Sequence, residues 1–143
     1  EHAVRMAINC HSCVNTAVQY AGIAALEGPQ DTVTQMVDAW AERRKAIVSG
    51  LNALPGVSCT TPAGAFYSFP NTSRTGFSSA ELQSRLLAEE GVALLSGTSF
   101  GAGGEGYLRL SYATSMEQIE EALFRINRFL VNHQKTVRAV AVA

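Results

Sequence analysis

Apolar residues change their spacing along the chain, and each change marks an element. Between Val14 and Leu26, Val14, Ala17, Val18, Ala21, Ile23, Ala24, Ala25 and Leu26 occupy most sides of a helix wheel, and Gly28-Pro29 ends the run. A helix so uniformly apolar and uncharged needs cover on several faces. A second helix is predicted from Asp31, placed as its N-cap, with Val33, Val37, Trp40, Ile47, Leu51 and Leu54 recurring at fours and threes except at Arg44. It runs about six turns before Pro55-Gly56 stops it.

Two short strand candidates follow, Val57 to Thr61 and Ala65 to Phe69, joined by Thr61-Pro62-Ala63-Gly64 as a hairpin or bent pair. Ser78 and Glu81 form a capping box for a helix carrying Leu82, Leu86 and Leu87, and Gly91 sits where a left-handed C-cap belongs. Val92 to Leu95 reads as a strand, Gly97 to Gly106 as a glycine-rich loop, and Tyr107 to Ala113 as a strand with Leu108, Leu110 and Tyr112 on one face. Ser115 and Gln118 cap a last helix with Ile119, Leu123, Ile126 and Leu130 on one side and charges mostly opposite. Thr136 to Ala143 has no pattern and is expected to be peripheral. This order predicts an α+β layer, helices packed on a sheet of few strands.

Composition narrows the function classes. The 143 residues are 47% hydrophobic and 16% charged, which excludes a disordered chain. A net charge of -1 offers no basic excess for nucleic acid or anionic lipid. Residues 6 to 26 carry no formal charge, but Asn9, His11, Ser12, Asn15, Thr16 and Gln19 interrupt the run, so no membrane span is expected. Three cysteines are too few for a disulfide framework and favour reduced thiols in a cytoplasmic setting, where the Asn71-Thr72-Ser73 sequon is incidental. The chain begins at Glu1 with neither Met nor a leader pattern, so a piece of a longer protein is expected.

Three constellations carry possible chemistry. Gly101-Ala102-Gly103-Gly104-Glu105-Gly106 fits a dinucleotide fingerprint in letters, but a strand follows where a pyrophosphate needs a helix N-terminus, and Glu105 would repel it; a flexible loop is the better reading. Cys10-His11-Ser12-Cys13 has C-x-x-C spacing without a second ligand pair, so buried thiols rather than a metal or redox site are expected, and His133 reads as a solvated residue near a helix end. Arg109 lies mid-strand, opposite Leu108 and Leu110 and just after the glycine loop. A guanidinium there suits a two-pronged grip on a carboxylate, although an arginine on the solvent face of a sheet satisfies the same pattern.

Pro62-Ala63-Gly64-Ala65-Phe66-Tyr67-Ser68-Phe69-Pro70, Gly91-Val92, Ser96-Gly97-Thr98-Ser99-Phe100-Gly101 and Gly106-Tyr107-Leu108-Arg109-Leu110-Ser111-Tyr112-Ala113, with Ser115 and Glu120-Glu121-Ala122, together resemble the C-terminal end of class I/II aminotransferases. These are fold-type I pyridoxal-phosphate enzymes of the aspartate aminotransferase superfamily, and the likeness runs from roughly Ser12 to Leu130 in order and spacing. The resemblance implies that Arg109 binds the substrate α-carboxylate and that Phe100 lies close to the same pocket. Ser96 stands where the family usually has Pro before that glycine.

The resemblance also implies what this stretch does without. Its chemistry needs a lysine holding pyridoxal 5'-phosphate as a Schiff base, and the chain has only Lys45 and Lys135, neither in the family's lysine motif. No catalytic, cofactor-binding or metal residue is therefore assigned. The implied organisation is residues 1–30 as the end of the large cofactor-binding domain, 31–55 as a long connecting helix, 56–135 as the small C-terminal domain and 136–143 as a tail. The expected function is that of an aminotransferase acting on an amino acid and a 2-oxo acid, a cytoplasmic homodimer when complete, with this part supplying carboxylate binding. A lyase or synthase of the same superfamily and a non-enzymatic carboxylate-binding module are the alternatives.

Overall fold

Contacts divide the chain of this computed structural model, described over residues 1–140 and with side chains through His133, into two units, Glu1–Val37 and a second that starts at Asp38. In the first unit α1 spans His2–His11, a helix the apolar pattern did not mark, and α2 spans Thr16–Glu27. Asn15 caps α2, its side-chain oxygen accepting from the Val18 N–H at 3.0 Å. No residue of α1 or α2 is buried. Cys10 and Cys13 are therefore exposed free thiols, contrary to the buried pair expected, because the helix that carries Cys10 packs no face of its own.

Helix α3 spans Asp31–Ala53, with Asp31 already inside the first turn rather than capping it. Its stripe divides at the unit boundary: Val33 and Val37 are exposed, whereas Ile47 and Leu51 are buried in the core of the second unit. Leu54 and Gly56, the latter at φ 76°, turn the chain away. A strand does not form over 57–61. Asn52 occupies that backbone instead, donating to the Cys59 carbonyl at 2.9 Å and accepting from the Cys59 N–H at 2.9 Å, so the segment is pinned to α3. Ser58 bridges Asn71 instead, beyond the second candidate, and the strand that does form within Ala65–Phe69 pairs elsewhere in the sheet.

The sheet has three short antiparallel strands in the order β1-β3-β2: β1 is Tyr67–Ser68, β2 is Leu95–Ser96 and β3 is Leu108–Ser111. Tyr67 pairs with Ser111 and Leu95 with Arg109. Leu108, Leu110 and Tyr112 face inward as the alternation predicted. They meet Leu82 and Leu86 of α4 (Ser79–Glu90) and Ile119, Ile126 and Phe129 of α5 (Met116–Val140) in one apolar cluster.

Both expected caps are in place. Ser78 Oγ accepts from the Glu81 N–H and Ser115 Oγ from the Gln118 N–H, each at 3.3 Å, and Gly91 ends α4 in the left-handed region at φ 65°. α5 continues beyond residue 135, where the tail was expected to begin; residues 141–143 lie outside the described residues. His133 is accordingly within the helix and not solvated at its end. Its ring packs 4.2 Å from that of Phe129 and contacts the Arg85 guanidinium, which lies over the Phe77 and Phe129 rings. The mixed helix and three-stranded architecture is the α+β layer expected.

Candidate functional site

Inward-facing Leu108 and Leu110 oblige Arg109 to point out of the opposite face of the central strand. Strands flank it on both sides, and each delivers an aromatic ring. Tyr67 arrives from β1, and Phe100 from the 3-10 turn Gly97–Phe100 that follows β2. The Arg109 Cζ lies 4.6 Å from the Tyr67 ring centroid and 4.7 Å from that of Phe100, both within cation–π reach. Among the described residues no carboxylate or carbonyl engages this guanidinium. The site is thus a cation held by two aromatic faces with its hydrogen-bonding capacity unspent.

Each ring has its own support. Ala65 is held at φ 58°, an unfavourable conformation for a residue with a Cβ, by buried Tyr112: its hydroxyl donates to the Ala65 carbonyl at 2.8 Å and its N–H to the Phe66 carbonyl at 2.9 Å. That turn directs Phe66 against Trp40 of α3, centroids 5.6 Å apart, and Tyr67 against Phe66 at 4.6 Å. On the other side Phe100 meets the edge of Phe69, which stacks on Tyr107 at 5.4 Å. Sequence reasoning named Phe100 and Arg109 but missed Tyr67. The signal for it was the pairing of β1 with β3, which places Tyr67 and Arg109 on one face and which no local pattern encodes.

The glycine loop positions Phe100. Gly97 and Gly104 cross so closely that a Cβ on Gly97 would lie 2.2 Å from the Gly104 carbonyl oxygen, and one on Gly104 2.0 Å from that of Gly97. Buried Ser79, at the start of α4, anchors the far end of the loop: its Oγ accepts from the Gly106 N–H at 2.8 Å and the Tyr107 N–H at 3.1 Å. Glu105, read as a repulsive charge in the fingerprint, instead accepts from the Ser79 N–H at 3.0 Å at the positive end of α4. The loop forms two 3-10 turns and enters β3, so no helix N-terminus follows the glycines.

The remaining candidates do not converge on Arg109. No group of three or more His, Cys, Asp or Glu that could hold a metal occurs among the described residues. Cys59 is buried, and that burial pushes its thiol pKa up, partly opposed by a hydrogen bond with the Phe69 backbone. Lys45 sits on the exposed side of α3 and pairs with Glu42 at 2.7 Å. Tyr67, Phe100, Phe69, Tyr107 and Leu95 around Arg109 include no amine and no cluster of donors for a phosphate. A guanidinium between aromatic rings suits a planar carboxylate; these residues do not fit the phosphate or the aldehyde carbon of pyridoxal phosphate. No described helix is long and apolar enough to cross a membrane.

Comparison with known proteins bears on this arrangement. Residues 2–126 match the model of the family "Aminotransferase class I and II". The chain is 45% identical over 119 residues to an aspartate aminotransferase of Pyrococcus horikoshii, covering 82% of this chain and 30% of that protein. It is 46% identical over 127 residues to an aspartate aminotransferase of a Bacillus species, covering 84% and 32%. Among solved structures, an aromatic aminotransferase from Pyrococcus horikoshii superposes with a TM-score of 0.84 at 37% identity, covering 92% of this chain and 35% of that one. The chain thus spans about a third of the length of the relatives it matches. With a match of that extent and a fold shared with fold-type I enzymes, the chain belongs to the class I and II aminotransferase family.

Proposed function

We propose that the protein containing this chain moves an amino group between an amino acid and a 2-oxo acid on pyridoxal 5'-phosphate, and that Arg109 grips the α-carboxylate of both. The observation that carries this reading is the Arg109 guanidinium itself, aimed out of the sheet, fixed by Tyr67 and Phe100 and free of any carboxylate among the described residues. A cation left unpaired beside exposed aromatic rings is poised for an anion from outside the chain. Pyridoxal phosphate, when bound, supplies the amino-group exchange; this chain supplies the grip, and among the described residues no amine stands beside Arg109.

In the same reading residues 1–30 close the cofactor-binding domain, 31–55 connect it to the small domain at 56–135, and the complete enzyme is a cytoplasmic homodimer. Free cysteines and the exposed apolar side chains of α1 and α2, which the rest of such an enzyme would cover, support it. Relatives named for aspartate and for aromatic amino acids leave the side-chain preference undivided.

The test is Arg109→Ala and Arg109→Lys in the complete enzyme. Removing one member of a desolvated, two-pronged charge pair costs about 2–5 kcal/mol, roughly 30-fold to several-thousand-fold in kcat/KM. Lysine keeps charge but not the fork, so it is impaired less than alanine. Amino acid and oxo acid suffer alike, and the matching decarboxylated amine hardly at all. Unchanged kinetics with the amino acid would remove Arg109 from the site.

A further inference from the structure

We propose that Tyr67 and Phe100 are positioning residues that orient the Arg109 guanidinium and close its faces, so that the site takes a planar carboxylate and discriminates against tetrahedral anions of equal charge. The inference rests on the reading of Arg109 as the carboxylate site and adds to it a geometric selection made by two rings.

All five guanidinium N–H donors lie in one plane, and an arginine meets an aromatic ring through the face of that plane. Here two rings lie 4.6 and 4.7 Å from Cζ, Tyr67 from β1 on one side of β3 and Phe100 from the 3-10 turn after β2 on the other. No hydrogen bond or ion pair among the described residues orients the guanidinium, so ring contact is what holds it. Both rings are backed by further aromatics, Tyr67 by Phe66 and Trp40, Phe100 by Phe69 and Tyr107, and so neither yields easily to an incoming group. Arg109 is half-buried, and its in-plane N–H donors have no partner among the described residues, which leaves the edge for a ligand. Two carboxylate oxygens can enter there in plane; the third oxygen of a sulfonate or phosphonate projects out of that plane, toward one ring or the other.

The experiment uses the complete enzyme with two monoanionic competitive inhibitors of matched skeleton, 3-phenylpropanoate and 2-phenylethanesulfonate. In the parent enzyme the carboxylate is expected to bind about tenfold or more tighter than the sulfonate. Tyr67→Leu and Phe100→Leu keep apolar bulk but remove the ring face, and both side chains are partly exposed, so folding is preserved. Each should bring the two inhibition constants several-fold closer together and raise KM for the amino acid more than it lowers kcat. Tyr67→Phe, which keeps the face and drops the hydroxyl, should retain the parent ratio. If the ratio is unchanged in both leucine variants while Arg109→Ala abolishes carboxylate inhibition, the carboxylate site stands and the ring-gating proposal is overturned. If Arg109→Ala leaves carboxylate inhibition intact, both fall together.

Discussion

The helices of the first unit and those of the second draw on similar apolar residues and reach opposite outcomes. In α2, Val18, Tyr20, Ile23 and Leu26 are exposed at between 50% and 84%; in α4 and α5, Leu86 and Phe129 are exposed at 0% and 1%. The second unit's helices carry charge opposite their apolar stripe, as with Glu121 and Arg125 on α5, and a stripe of one width matches one sheet face. α2 is apolar on most sides, and none of its residues is buried. Patterning with a polar side therefore specifies a partner nearby, whereas apolarity all round specifies only that partners are needed.

The sharpest way to break this comparison is hydrogen exchange on the 143-residue chain. Helices with no buried face have only their own marginal helicity, so α1 and α2 amides should exchange within about tenfold of unfolded-chain rates, and those of Leu82 and Leu86 at least about a thousandfold slower. Equal protection in both units would show that the first unit has a partner within the chain or in a second copy.

Substitution should follow the same division. Phe129→Ala removes a side chain that is 1% exposed and is expected to cost about 3–5 kcal/mol by denaturant titration, whereas Ile23→Ala, at 50% exposure, should fall within about 0.5 kcal/mol. Similar losses at both positions would erase the distinction. Gly97→Ala comes next: its Cβ would meet the Gly104 and Tyr107 carbonyl oxygens at 2.2 and 2.8 Å, both backbone atoms, so a loss of roughly 1–3 kcal/mol is expected. Gly103→Ala in the same loop, with open space around it, is the matched control.

Local signals in the sequence were legible where one segment decides its own conformation. The Ser78 and Gly91 caps, the inward alternation of Leu108, Leu110 and Tyr112, and the α5 stripe each depend on residues a few positions apart. Failures fell where a distant group decides. Asn52 claims the Cys59 backbone and prevents a strand at 57–61; Glu105 turns from loop charge to helix-start acceptor because α4 lies beside it; His133 is half-buried because Arg85 meets its ring nitrogen and Phe77 packs against its ring. The candidate site divides along the same line. Arg109 was legible from period and resemblance, while Tyr67 became visible only once β1 was paired with β3.

That pairing has a second face, and the smallest effect expected here tests it. Ser68 follows Tyr67 and points the other way, opposite Leu110, where it is fully buried and its hydroxyl has no hydrogen-bond partner among the described residues. A hydroxyl withdrawn from water without a hydrogen bond pays its desolvation with nothing returned, whereas a methyl group in the same place has none to lose. Ser68→Ala should therefore stabilise the chain by about 1 kcal/mol, a rise in the denaturation midpoint at constant m-value. Tyr67 and Arg109 lie on the other side of the sheet, so in the complete enzyme kcat/KM should not move. A destabilisation of about 1 kcal/mol or more would mean that the Ser68 hydroxyl has a hydrogen-bond partner and that β1 pairs with β3 in a different register. Since Tyr67 reaches Arg109 through that same register, the outcome at a silent core position bears directly on the geometry of the carboxylate site.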